Sequence, residues 1–198
     1  MMLESLLEHY HLILASGSPR RQELLKILGF EFEIRLKPVN EIYPENLTYS
    51  EISDFLAELK AQPFKSELNQ KDILLTSDTI VWFQNKALGK PETPEDAFKM
   101  IKGMSGNHHE VITSVCLTTT SQQITVHDIT KVTFRSLTDE EIWYYINNYP
   151  VMDKAGAYGV QDWLGLTAVT RIEGSYFNVM GLPVHRVYET LKELISVE

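Results

Sequence analysis

The sequence has few cysteines and few basic residues for its length. Cys116 is the only cysteine among 198 residues, which excludes an intrachain disulfide framework and a zinc site built from cysteines. Eighteen Lys and Arg residues face 27 Asp and Glu residues, giving a net charge of −9. The average surface therefore repels nucleic acid and anionic membranes, and we expect neither as a partner. An anionic ligand must be held by a local cluster of positive charge.

Long hydrophobic runs are also absent from the sequence. No apolar stretch approaches the ~20 residues that cross a bilayer. Residues 1–8 (MMLESLLE) carry acids among leucines and no basic segment, which predicts a short amphipathic helix on a cytoplasmic protein. With 43% hydrophobic and 23% charged residues, we expect a single domain over residues 1–198, formed as one body or as two small lobes that share a core.

Hydrophobic periodicity divides the chain into strands and helices. Predicted strands cover residues 11–15, 32–35, 73–76, 111–117, 124–134 and 167–172, with 79–83 as a continuation of the third or its neighbour. Predicted helices begin after Ser18, at Ser50, after Thr93, at the capping box of Thr138 and at Pro183, and Pro63 should break or kink the second. This mixed order favours an α/β or α+β fold with a mixed sheet and flanking helices.

The segment SGSPRR (residues 16–21) lies between the first strand and the first helix. Unpaired N–H groups and the helix dipole make such a terminus favourable for an anion. Arg20 and Arg21 are unfavourable in a first turn unless an anion binds there, since a guanidinium can bind phosphate oxygens. The alternative is a plain capped helix with two solvated arginines.

Three further segments carry polar groups suited to ligand chemistry. Asp78 follows a buried strand, where a carboxylate can hold a divalent cation or accept a proton from water; the alternative is an Asx turn that ends the strand. Lys90 lies between Gly and Pro and is either a phosphate ligand or a solvated loop residue. In DKAGAYGVQ (residues 153–161), Gln161 can read the edge of a nucleobase, or the segment is a loop packed on the core.

Other reactive residue types are discounted. His108 and His109 are adjacent, so on a strand they point to opposite faces and do not share a metal. Cys116 lies among apolar residues and is expected in the core.

Taken in order, SGSPRR, SDT (77–79), GKP (89–91) and DKAGAYGVQ resemble the Maf family of nucleotide pyrophosphatases. The resemblance extends from about Leu12 to about Leu194. It implies an α/β fold related to the inosine triphosphate pyrophosphatases, with two lobes around a cleft. It also implies hydrolysis of nucleoside triphosphates to the monophosphate and pyrophosphate with Mg²⁺ or Mn²⁺. Members often form dimers, so we expect a homodimer by analogy.

The resemblance assigns roles by position. Asp78 matches the family's proton acceptor, and Lys60 lies in ELKA (58–61), which resembles the family's Arg-Glu-Lys-Ala segment. The residues that match the polar and basic phosphate site are Ser16, Arg20, Arg21, Lys60 and Lys90. The positions that mark the branch acting on dTTP and UTP are Arg20, Thr79 and Gln161. A Gln amide can accept from N3–H and donate to O4 of uracil or thymine.

One position departs from the family pattern. The family usually has two acids after the second strand, whereas this chain has Asn40 and Glu41. We therefore expect Glu41, with Asp78, as the metal ligands. Two other functions remain open: a pyrophosphatase for other non-standard nucleotides, and a nucleotide-binding regulator of septum formation without turnover.

Overall fold

The computed structural model describes residues 7–196. The helix predicted over residues 1–8 lies, apart from its last two positions, outside the described residues. Strands in the described range are β1 (His11–Leu14), β2 (Glu33–Ile34), β3 (Asp72–Phe83), β4 (Lys86–Leu88), β5 (His108–Thr118), β6 (Gln123–Phe134) and β7 (Val169–Glu173). Helices in that range are α1 (Pro19–Ile27), α2 (Ser50–Ala61), α3 (Pro94–Met104), α4 (Asp139–Asn148), α5 (Trp163–Ala168), α6 (Tyr176–Met180) and α7 (Val184–Ser196), with 3₁₀ turns at Gln62–Glu67 and Ala155–Ala157.

The strands form one mixed sheet. Its order is β2-β1-β3-β5-β6-β7, and β4 pairs with β3. β1 is parallel to β2 and to β3, with Ile13 opposite Leu74, whereas the β3–β4 and β6–β7 pairs are antiparallel. The predicted mixed sheet with flanking helices is confirmed.

The chain divides into two compact units, each with its own apolar cluster. The first unit comprises Met1–Asp78, Thr113–Asp128 and Gly181–Glu198, and the second comprises Thr79–Ile112 and Ile129–Met180. In the first, buried residues include Ile13, Ala57, Phe64, Leu74 and Cys116. In the second they include Ile101, Val132, Phe134, Tyr145 and Leu164. The single domain over residues 1–198 stays a prediction.

β3 differs from its predicted form in a way that matters for the site. The strand runs without interruption through Asp78, because β-branched and aromatic residues follow that position and sustain extended backbone. It ends where Gln84 and Asn85 adopt φ of 49° and 60°, as a two-residue hairpin turn to β4 requires. The interpretation of Asp78 as a strand-ending turn residue is therefore wrong.

Most of the other helices and strands follow the predictions with local shifts, whereas β4, α5 and α6 were not predicted. α1 is followed by Gly29 at a φ of 78°, the left-handed conformation that glycine adopts readily after a helix. α2 gives way to a 3₁₀ turn at Pro63, as predicted. Strand β7 begins at Val169 because the two residues before it end α5, a six-residue helix too short to show periodicity. In the described part of the chain, none of the helices has both the length and the apolar character needed to cross a bilayer.

Candidate active site

The β1–α1 segment forms the predicted strand–turn–helix. Ser18 is the N-cap residue of α1, with extended backbone and Pro19 after it, but its side chain makes no capping hydrogen bond within the described residues. The buried Ser16 hydroxyl instead accepts from the N–H of Ser18 at 3.3 Å and from Nη1 of Arg21 at 3.4 Å. No acid lies in the first turn. The start of α1 thus keeps the partial positive charge of its amide groups.

Arg21 joins three parts of the first unit. Its Nε donates to the carbonyl oxygen of Gly181 at 2.8 Å, and its Nη1 donates to the carbonyl oxygen of Ser77 at 2.8 Å. Burial lowers the pKa of the Arg21 guanidinium, while the charges of Asp78 and Glu41 act in the opposite direction. An arginine remains charged under these conditions. Arg21 therefore fixes the strand beside Asp78 and adds positive charge there.

An ion-pair cluster surrounds Asp78, which is buried in the middle of β3. The Nζ of Lys60, in the last turn of α2, lies 2.6 Å from Oδ1 of Asp78 and 3.1 Å from Oε2 of Glu41. The Lys60 side chain is only 18% exposed, whereas that of Glu41 is 46% exposed. One ammonium thus holds two carboxylates together and offsets the cost of burying Asp78.

A second hydrogen bond sets the position of Lys60. The buried hydroxyl of Thr76 in β3 donates to the carbonyl oxygen of Ala57 in α2 at 2.7 Å. Thr76 lies two residues before Asp78, and Ala57 lies three residues before Lys60. The contact fixes α2 against β3 at the level of the ion pair, so that the lysine reaches the carboxylate.

The second unit contains the other three candidate residues. Thr79 is half-buried in β3, and Lys90 is exposed after β4. Gln161 is half-buried, and its Oε1 atom is buried with no hydrogen-bond partner in the described residues. A buried carbonyl oxygen without a donor carries an energetic cost, which a bound donor would relieve.

The structure brings five of the candidate residues into one group in the first unit. They are Ser16, Arg21, Glu41, Lys60 and Asp78. Arg20 is half-buried, and its charge acts on Arg21. No role in binding or catalysis is tested for the residues of this group or for Arg20, Thr79, Lys90 and Gln161. Their roles stay predictions.

The sequence did not reveal the groups that hold these side chains in place. Thr76 and the carbonyl oxygen of Ser77 had no local signal, because a strand pattern does not show which element lies against it. The ion pair of Lys154 and Asp162 in the second unit had a weak signal in the sequence, because Lys154 is a charged residue in a segment rich in Gly and Ala.

A metal centre formed by the protein alone is not found in the described residues, where no three His, Cys, Asp or Glu side chains group together. Asp78 and Glu41 form a pair on one lysine. Mg²⁺ commonly binds one or two carboxylates together with substrate phosphates and water, so this donor set fits a cation that arrives with a nucleotide.

The discounted residues behave as expected. His108 is exposed and His109 is buried. His109 Nε2 lies 2.7 Å from the Tyr158 hydroxyl, and burial lowers the pKa of His109 to about 3, so its ring is neutral near pH 7. Cys116 is fully buried.

Comparison with known proteins decides the family. The model for the family described as Maf-like protein matches residues 11–194. The chain belongs to the Maf family. A Maf relative from Flavobacterium johnsoniae, named dTTP/UTP pyrophosphatase, is 61% identical over 98% of this chain and 100% of its own length. One from Bacteroides fragilis with the same name is 48% identical over 95% of this chain and 98% of its own length.

A solved structure shares the fold of this chain. The Ham1 protein of Staphylococcus aureus superimposes with a TM-score of 0.53, at 13% identity, over 92% of this chain and 98% of that one. The likeness concerns the fold alone and agrees with the mixed α/β sheet described above.

The ion pair of Lys60 predicts a large effect on stability. Replacing Lys60 by Gln removes the ion-pair partner of the buried Asp78 carboxylate, which should lower the free energy of unfolding by about 3 kcal/mol. Urea unfolding monitored by fluorescence measures the change. Lys90→Gln is the matched control, since Lys90 is exposed, and it should leave stability within about 0.5 kcal/mol. Equal stabilities of the two variants would contradict a stabilising Lys60–Asp78 pair.

Proposed function

We propose that this Maf-family protein hydrolyses the pyrimidine nucleoside triphosphates dTTP and UTP to the monophosphate and pyrophosphate. The observation that carries the proposal is the buried Asp78 carboxylate, held by Lys60 beside Glu41 and near the Arg21 guanidinium. The names of the relatives from Flavobacterium and Bacteroides support the same activity.

The triphosphate needs a local positive surface on a protein of net charge −9. The start of α1 supplies amide groups and the Arg20 and Arg21 side chains, and Lys60 supplies an ammonium that already lies among charged groups. Lys90 adds a charge that is exposed to solvent. Positive groups that are fixed before the reaction stabilise the charge that develops on the leaving pyrophosphate, and removing one commonly costs ~10²–10³ in rate.

Asp78 is assigned the proton-accepting role. Water attacks the α-phosphorus, the new P–O bond forms, and the bond from that phosphorus to the bridging oxygen breaks. The water proton passes to Asp78, and the bridging oxygen leaves with pyrophosphate. The fixed position of Asp78 within β3 suits this role, because a base must be held within hydrogen-bond reach of the attacking water.

Recognition of the nucleobase is assigned to Gln161. Its buried Oε1 has no donor in the described residues, and the N3–H group of uracil or thymine is a donor of matching type. The amide NH₂ of the same side chain can donate to O4. Thr79, which marks the same branch by its position, directly follows Asp78 in β3.

A divalent cation, Mg²⁺ or Mn²⁺, belongs to the proposal. Asp78 and Glu41 would hold it, because carboxylate and phosphate oxygens suit these ions. Such an ion, when bound, screens phosphate charge and makes a bound water more acidic. Asn40, where the family usually has an acid, is exposed and leaves Glu41 as the second carboxylate.

The same proposal leads to expectations about the cellular location and the partners of the protein. Its substrates are cytoplasmic nucleotides, so we place the protein in the cytoplasm. The net charge of −9 disfavours nucleic acid as a partner. A homodimer remains an expectation by analogy with the family.

The Asp78→Asn variant tests the reaction. We expect UTP hydrolysis with Mg²⁺ to fall by about 10²–10³-fold, because the proton acceptor is lost while the shape is kept. Chromatography of the products should show UMP and pyrophosphate in equal amounts for the native protein. Asp72→Asn changes the other buried Asp of β3 and should retain turnover.

Three outcomes would contradict the proposed reaction. Release of UDP and phosphate would place the attack at a different phosphorus. Binding of nucleotide without turnover by the native protein would favour a regulator, and faster hydrolysis of non-pyrimidine triphosphates would favour another substrate class.

Removal of the metal provides a separate test. EDTA should abolish UTP hydrolysis, and added Mg²⁺ or Mn²⁺ should restore it. Glu41→Gln should raise the Mg²⁺ concentration for half-maximal activity by about tenfold, since one charged ligand is lost. Glu45→Gln alters another exposed acid of the same segment and serves as the control. Activity that survives EDTA, or equal Mg²⁺ dependence of the two variants, would remove Glu41 from the metal site.

A further inference from the structure

A turn in the second unit carries Gln161. The N–H of Asp162 donates to the carbonyl oxygen of Gly159 at 3.1 Å, which closes residues 159–162 into one turn. Val160 is buried, and Gln161 follows it with an unpartnered Oε1 within the described part of the chain. The orientation of the Gln161 amide therefore depends on how firmly this turn is held.

The Tyr145 hydroxyl in α4 binds both ends of the turn. It accepts a hydrogen bond from the N–H of Gly159 at 3.1 Å and donates one to Oδ2 of Asp162 at 3.0 Å. Tyr145 is fully buried. Burial raises the pKa of its phenol, so the hydroxyl keeps its proton and remains a donor to the carboxylate.

A buried lysine completes the contact on Asp162. The Nζ of Lys154 lies 3.1 Å from Oδ2 of Asp162 and also donates to the carbonyl oxygen of Pro150. The Lys154 side chain is only 4% exposed. A buried ammonium needs such partners, and they fix the carboxylate that Tyr145 contacts.

The backbone of the turn lies directly against these groups. A Cβ atom added at Gly159 would lie 2.6 Å from Oδ2 of Asp162 and 3.0 Å from Cε of Lys154. At Gly165, in α5, a Cβ atom would overlap the carbonyl oxygen of Val160. Both glycines allow the turn to approach its support more closely than any side chain would permit.

We propose that Tyr145 is a positioning residue for base recognition: its hydroxyl holds the 159–162 turn so that the Gln161 amide discriminates among nucleobases. The inference rests on the proposed function, in which Gln161 reads the pyrimidine. It assigns no contact between Tyr145 and substrate. The specificity of the enzyme then depends on a buried hydroxyl in α4 as well as on Gln161.

The experiment compares Tyr145→Phe with Tyr144→Phe. Both remove one hydroxyl from α4, but Tyr144 is 50% exposed. The substrates are UTP and a UTP analogue methylated at N3, which has no N3–H to donate. In Tyr145→Phe we expect the ratio of kcat/KM for UTP to kcat/KM for the analogue to fall about tenfold, because KM for UTP rises. Its kcat for UTP should stay within about twofold. Tyr144→Phe should preserve the ratio.

Hydrogen exchange reports on the turn without relying on activity. Amides of residues 159–162 should exchange at least about tenfold faster in Tyr145→Phe than in the native protein, and at native rates in Tyr144→Phe. Unchanged exchange overturns the positioning of the turn. Faster exchange with an unchanged ratio of kcat/KM between UTP and the analogue overturns the role of Tyr145 in base recognition.

The outcomes separate this inference from the proposed function. If the native protein does not hydrolyse UTP, the proposed function and the role in base recognition both fail, and exchange alone decides whether Tyr145 holds the turn. If Tyr145→Phe does not fold, Asp162→Ala replaces it, because it removes the side-chain acceptor of the Tyr145 hydroxyl at one end of the turn. In this variant the ratio of kcat/KM for UTP to kcat/KM for the analogue should fall, and an unchanged ratio overturns the inference.

Discussion

The interaction on which the first unit depends is the ion pair of Lys60 with Asp78. A carboxylate in the middle of a buried strand is costly unless a charged partner reaches it. Lys60 does so because the Thr76 hydroxyl bonds the carbonyl oxygen of Ala57 and fixes α2 against β3. Glu41 shares the same ammonium. The arrangement concentrates charges of both signs in a chain whose surface is acidic on average.

The two units have different chemical characters. In the first, charged side chains and the start of α1 suit a polyphosphate and a divalent cation. In the second, a turn held by hydrogen bonds carries Gln161, whose amide suits the edge of a pyrimidine. Its support is a buried network of a phenol, a carboxylate and an ammonium.

Local sequence patterns predicted most of the strands and helices but not the contacts between them. The Ser18-Pro19 start of α1, the end of that helix before Gly29 and the capping box at Thr138 were predicted because each depends on neighbouring residues. The ion pair of Lys60 and Asp78 was not predicted from local patterns. Its partners lie 18 residues apart on a helix and a strand, and hydrophobic periodicity does not show how these two elements pack. Asp78 was expected after a strand, since aspartate is rare inside one. Its place within β3 reflects the lysine, a tertiary partner that outweighs local preference.

We expect the first unit to bind the phosphates of a nucleotide beside Asp78. A crystal structure with Mg²⁺ and a UTP analogue that has a non-hydrolysable link between the α- and β-phosphates tests it most directly. The account predicts phosphate oxygens within hydrogen-bond distance of Lys60 and of the residue 16–21 segment, with the α-phosphorus next to the Asp78 carboxylate. Phosphates bound on another surface, with Asp78 and Lys60 still paired and remote from them, would contradict it.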